Sequence, residues 1–106
     1  MILEFTVKIV DSDYLYLKHN NSLDITWTHQ DAIIWLQEMN YYYEYSEEQV
    51  AQTVDWVPFS QSSTFLEWHM KLKFTIDAHT LDFLLLKWPR IFESRAQYET
   101  ITLVND

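Results

Sequence analysis

Leu3, Phe5, Val7 and Ile9 alternate with Glu4, Thr6 and Lys8. A period of two sends successive side chains to opposite faces, so this stretch predicts a half-buried strand with its odd positions inward. Asp11-Ser12-Asp13 ends it. Tyr14 to Lys18 and Leu23 to Trp27 are rich in β-forming residues and flank His19-Asn20-Asn21-Ser22. They predict a hairpin, with Leu23, Ile25 and Trp27 on one face. A clearer alternation comes later, where Leu66, Trp68, Met70, Leu72 and Phe74 interleave with Glu67, His69, Lys71, Lys73 and Thr75. One face of that long strand belongs to the core and the other to water, which predicts an antiparallel or mixed sheet open on one side. Thr100 to Val104 reads as a short last strand with Ile101 and Leu103 inward.

Three segments carry a helical period instead. Thr28-His29-Gln30-Asp31 resembles a helix start, and Ala32, Leu36, Met39 and Tyr43 form its inward stripe up to about residue 43. Ser46-Glu47-Glu48-Gln49 has the form of a capping box, with Val50, Val54 and Val57 as the seam of a second helix that Pro58 closes. Ser60-Gln61-Ser62-Ser63 then reads as a polar linker. Asp77 can cap a third helix from Ala78 towards Gln97, with Leu81, Leu84, Leu85, Trp88 and Phe92 on its apolar face and Pro89 dividing it near Leu85. The sum is an α+β chain: a small mixed or antiparallel sheet of four or five strands packed on two or three helices, as one domain over residues 1–106.

Composition sharpens this picture by exclusion. With 48% hydrophobic and 17% aromatic residues the chain is a packed globule, not an acidic disordered segment. It has no cysteine, which removes disulfides, thiolate metal sites and a cysteine nucleophile, and an intracellular, cytoplasmic setting is the simplest reading. Met1 to Val10 is broken by Glu4 and Lys8, so it predicts neither a signal peptide nor a membrane span. Glycine is also absent, where an average chain of this length holds about seven. Phosphate-cradling and dinucleotide-binding turns need glycine where backbone meets ligand, so no cofactor of that kind is expected. Tight turns must fall on Asn and Asp, and Asn20-Asn21, Asp11-Ser12-Asp13 and Asn40 are the places for them.

Charge is the one functional signal. The formal net charge is −9, and residues 19–70 contain no Lys or Arg while carrying Asp24, Asp31, Glu38, Glu44, Glu47, Glu48, Asp55 and Glu67. Residues 71–106 balance five basic against five acidic side chains. An acidic surface of this kind calls for a basic partner and repels nucleic acid. The tyrosines 41, 42, 43 and 45 lie within the same stretch. On a helix, three in a row sweep about 200°, which exposes at least one. Tyrosine buries large area at small entropic loss, so such a run suits an interface.

The expected site is therefore a partner-binding surface built from Asp31, Glu38, Tyr41, Tyr42, Glu44, Tyr45, Glu47, Glu48 and Asp55. The expected function is a small non-enzymatic module that engages a basic surface of another protein. If Glu38, Glu44, Glu47, Glu48 and Asp55 share one side of a helical pair, their spacing imitates a phosphate backbone, and the module would inhibit a nucleic-acid-binding protein in the manner of a phage or mobile-element anti-defence protein. A structural or assembly subunit using its aromatic surfaces is the alternative, and a small carboxylate-dependent enzyme is the second. No membrane and no direct nucleic-acid contact is expected, and a homodimer is compatible with the sequence. His29 with Asp31 and Glu67 with His69 fall short of the three or four ligands of a zinc site, and Lys71 on the face of the second pair would repel a cation, so no metal and no catalytic residue is assigned.

Overall fold

In a computed structural model, residues 1–23, 27–56, 61–93 and 99–104 are described, except for the side chains of Asp55, Trp56 and Gln61. Among them the elements run β1 (Ile2–Val10), α1 (Asp11–His19), α2 (Gln30–Glu38), β2 (Tyr43–Trp56), β3 (Gln61–Thr75), α3 (Ala78–Lys87) and β4 (Glu99–Val104). The four strands form one antiparallel sheet in the order β2-β3-β1-β4, with the three helices on one face, so the fold is α+β. Among the described residues no helix is long and apolar enough to cross a membrane.

The sheet is held at its centre by the two strands whose alternation is strictest. Leu3 lies opposite Phe74, Phe5 opposite Leu72 and Val7 opposite Met70. These six side chains are buried, together with Ala32, Ile33 and Leu36 from α2 and Leu84 from α3. Phe5 packs edge-on against both Trp27 and Phe74, with ring centroids 6.3 and 6.0 Å away. On β4, Ile101 and Leu103 pack against this core as their alternation requires.

Five expectations change. Tyr14 to Lys18 is helix α1 and not the first strand of a hairpin. Asp11 and Asp13 in its first turn and Lys18 and His19 in its last oppose the helix dipole favourably, and with the helix preference of Leu15 and Leu17 this outweighs the β preference of its tyrosines. Leu23 is half-buried and Trp27 buried, while Ile25 lies outside the described residues. Helix α2 stops at Glu38, so Met39 and Tyr43 are exposed and Ile33 takes the inward position. Asn40 ends it with φ of 60°, and Asn21 follows α1 with φ of 53°. Asparagine thus takes the left-handed turns that glycine ordinarily serves.

The largest change concerns residues 46–56, which are strand and not helix. β2 pairs with β3 along its whole length, from Tyr43 opposite Phe74 to Trp56 opposite Gln61. β3 is fully committed to the sheet by its core alternation, and its second edge needs partners for its backbone groups. The aromatic and β-branched residues of Tyr43–Trp56 meet that need, and a local capping box is overridden. Gln61, Ser62 and Ser63 belong to β3 and are no linker; Ser60 lies outside the described residues. Helix α3 begins at Asp77 as expected, with the Asp77 carboxylate accepting from the Thr80 amide at 2.7 Å. It ends at Lys87, just before Pro89, and residues 94–98 lie outside the described residues.

β1 stops at Val10 opposite Glu67, so the end of the hairpin, Gln61–Leu66 with its β2 partners, runs on as a two-stranded ribbon. Six residues of strand reach roughly 20 Å beyond the sheet. The radius of gyration is accordingly 16.3 Å, against about 13 Å for a compact chain of about 100 residues. Truncating Phe5 to alanine should cost about 3–5 kcal/mol in urea unfolding. Leu66→Ala, on the ribbon, should stay within about 0.5 kcal/mol of the parent, as exposed positions do.

Candidate functional site: the edge strand

A β2 side chain shares a face with the residue directly opposite it on β3. Tyr43, Tyr45, Glu47 and Gln49 therefore lie on the helix-covered face beside Phe74, Leu72, Met70 and Trp68. Glu44, Ser46 and Glu48 lie on the open face beside Lys73, Lys71 and His69. The backbone alternates in step. Thr75 donates its amide to the Tyr42 carbonyl at 2.9 Å, which makes that opposed pair a hydrogen-bonded one. Even-numbered residues of β2 thus bond inward to β3, and the amides and carbonyls of Tyr43, Tyr45 and Glu47 point out from the sheet edge.

The helix-covered side of this edge carries a polar network that docks α1. The Tyr14 hydroxyl donates to Glu47 Oε2, Tyr45 donates to Glu47 Oε1 at 3.0 Å, and Lys18 Nζ donates to the Tyr14 hydroxyl at 2.8 Å. Lys18 also stands 3.5 Å from the Glu47 carboxylate. The Tyr14 ring, buried, stacks on Trp68 with centroids 4.3 Å apart. Beside it, Asp11 Oδ1 accepts from Trp68 Nε1 at 2.7 Å and from Gln49 Nε2 at 2.9 Å. The bond from Tyr14, with help from Tyr45 and Lys18, holds the Glu47 carboxyl below its ordinary range. Burial and the bond to Glu47 push the Tyr45 phenol up.

On the open face charge alternates. Lys71 reaches Glu48 at 3.5 Å and Glu4 at 3.8 Å, and His69 Nε2 lies 2.7 Å from Glu67. Nearest the strand start, Tyr42 donates to Glu44 at 2.6 Å, which raises the phenol of Tyr42. Tyr42 is 65% exposed, and Tyr43 and Tyr45 are each 46% exposed.

Of the residues expected to bind a partner, Tyr42, Glu44, Tyr45, Glu47 and Glu48 come together along this one edge. Asp31 and Glu38 stand at opposite ends of α2. Tyr41 is half-buried, its hydroxyl paired with that of Thr80. Asp55 sits near the far end of β2, its side chain outside the described residues. The one-sided helical array of carboxylates that imitation of a phosphate backbone requires is not formed among the described residues, because a strand sends Glu47 to one face and Glu44 and Glu48 to the other. Tyr14, Lys18 and Asp11 were not expected to take part. Their signal in the sequence is the i, i+4 spacing of Tyr14 and Lys18 on a helix that opens with acids.

A separate cleft of about 200 Å³ lies between α2 and α3, lined by Trp35, Met39, Tyr41, Asp77, His79, Thr80 and Phe83. It is smaller than the roughly 300–1,000 Å³ of ordinary ligand sites. Its carboxylate, Asp77, is held below the usual range by the helix-capping bond to Thr80, which is a structural task. Among the described residues no three His, Asp or Glu side chains converge as a metal site would need. Glu99 is buried and accepts from the amide and hydroxyl of Thr28, so that threonine ties β4 to the segment before α2 instead of capping the helix.

Because the folded Glu47 carboxyl titrates below its unfolded value near 4.5, its contribution to stability is complete above that pH and is lost as pH falls through the folded value. Urea unfolding at about pH 6 and about pH 3 should show a smaller acid-induced loss in Glu47→Gln than in the parent, and equal losses would contradict the network. Set beside known proteins, the chain matches no family model and no curated sequence.

Proposed function

We propose that this chain is a small protein-binding module that takes a basic, extended segment of a partner protein along the first half of β2. The observation that carries the reading is the edge itself. Tyr43–Glu48 ends the sheet, turns the backbone groups of every second residue outward, and presents carboxylates on both faces with no Lys or Arg anywhere in the strand. An incoming strand would complete the backbone ladder, while its side chains meet Glu44 and Glu48 on one face and tyrosine rings on the other. Strand addition of this kind draws affinity from main-chain bonds and selectivity from the flanking side chains. The net charge of −9 would steer a basic partner inward.

The same charges disfavour self-pairing over this half. A twofold axis at Ser46 would set Glu44 directly against Glu48 of a second copy, and like charges opposite each other destabilise a sheet. A cytoplasmic setting fits a chain without cysteine that works through exposed carboxylates. The reading is non-enzymatic: the edge offers a surface and no enclosed reaction site.

A synthetic strand peptide alternating lysine with valine provides the test, titrated against the full chain with backbone amides followed by NMR. Binding should weaken by roughly tenfold or more from low to physiological salt. The amides of Tyr43, Tyr45 and Glu47 should gain protection, and Glu44→Lys with Glu48→Lys should abolish the interaction. Equal affinity for the same peptide with glutamate in place of lysine, or protection that appears elsewhere, would overturn the proposal.

A further inference from the structure

The second half of β2 differs in kind from the first. Gln49-Val50-Ala51-Gln52-Thr53-Val54 carries no charge, and of the residues opposite, Ser63–Trp68, only Glu67 beside Val50 is charged, with its carboxylate 2.7 Å from His69 Nε2. Natural edge strands are ordinarily guarded by charges, proline or bulges. Tyr43–Glu48 has its carboxylates, but Gln49–Val54 has none of these devices before Asp55, and the ladder runs through it without a bulge. From Ala51 on it also lies in the ribbon that has lost the support of β1, and a lone two-stranded ribbon is marginal in water. Val50, Gln52 and Val54 share the open face with Phe65, and Val54 and Phe65 are exposed. In a chain of charge −9 this is a stretch of sheet edge that a second copy can approach without setting acid directly against acid.

We propose that two copies of this chain pair antiparallel along the distal half of β2, about a twofold axis at Gln52, joining their four-stranded sheets into one. The parity of the ladder supports that register. The outward backbone groups belong to odd-numbered residues, so Ala51 must meet an odd residue, and a twofold at Gln52 gives it Thr53 of the second copy. Val50 then faces Val54 of the second copy, and the reverse, while the two Gln52 side chains meet in a close non-hydrogen-bonded pair. This register brings all four valines into direct pairs, flanked by the two Phe65 rings. Moving the axis one residue to Ala51 would instead set Glu47 against Asp55. β2 is the preferred edge because it is open along its whole length, whereas β3 is free of β1 only over Gln61–Leu66.

This dimer does not rest on the binding of a basic segment, and the two respond to salt in opposite directions. Screening weakens attraction to a basic partner but relieves repulsion between two acidic copies. Sedimentation equilibrium of the full chain should show a monomer–dimer exchange that tightens from low to about 0.5 M salt. Because the chain has no cysteine, a Gln52→Cys variant should oxidise to a covalent dimer, since a close antiparallel pair lies within disulfide reach. Glu44→Cys, on the same face of the same strand, should not. Val50→Glu with Val54→Glu should weaken the dimer by roughly tenfold or more by placing acids opposite acids. Val50→Lys with Val54→Glu should restore it by pairing opposite charges across the axis. Purely monomeric behaviour at both salt concentrations would overturn the proposal, as would equal crosslinking of the Glu44→Cys variant or a dimer indifferent to the valine substitutions.

Discussion

The pairing of Tyr43 with Phe74, kept in step to Trp56 with Gln61, fixes the rest of this molecule's surface chemistry. Side chains on a strand alternate with a period of two, so a slip of one residue exchanges the faces completely. Glu44 and Glu48 would then be driven against the helices, and Tyr43, Tyr45 and Glu47 into water. Contacts on the helix side hold the register: Tyr43 packs on Phe74, Glu47 receives the hydroxyls of Tyr14 and Tyr45, and Gln49 bonds to Asp11. Glu47 and Gln49 are polar, and their partners Tyr14 and Asp11 come from α1. The segment that the sequence predicts as a hairpin strand is thus the helix that pins the edge strand.

Legibility in the sequence followed the strength of burial. β1, the second half of β3 and β4 were readable because one face of each meets the core and the other does not, which writes a period of two into the residues themselves. Asp77 was readable as a cap because its partner, the Thr80 amide, is three residues away. β2 was not readable. Its helix-covered face carries Glu47 and Gln49 in place of apolar residues, so the alternation is absent, and Ser46-Glu47-Glu48-Gln49 offers a convincing local imitation of a helix start. What settles its form is the unpaired edge of β3, a partner distant in sequence. Five of the nine residues expected at the interface still converge, because charge and aromatic content along a segment survive an error in its secondary structure. Their division between two faces could not be foreseen, since it depends on strand geometry.

That division also separates two uses of acidity. Spread along one side of a helix, the carboxylates would act as a substitute for a phosphate backbone. On an edge strand they instead flank outward backbone groups, the arrangement on which the proposed binding of a basic segment rests. Glu48 shares Lys71 with Glu4, so part of the open-face charge is already balanced within the sheet, while Glu44 is bonded to the exposed Tyr42. Gln49–Val54 lacks these charges, and the proposed pairing of two copies rests on that difference.

Amide hydrogen exchange along Tyr43–Glu48, measured by NMR on the dilute isolated chain, tests this edge most directly. Slow exchange at Glu44, Ser46 and Glu48, alternating with fast exchange at Tyr43, Tyr45 and Glu47, is the expected result. Uniform protection across all six residues, or the opposite alternation, would contradict it.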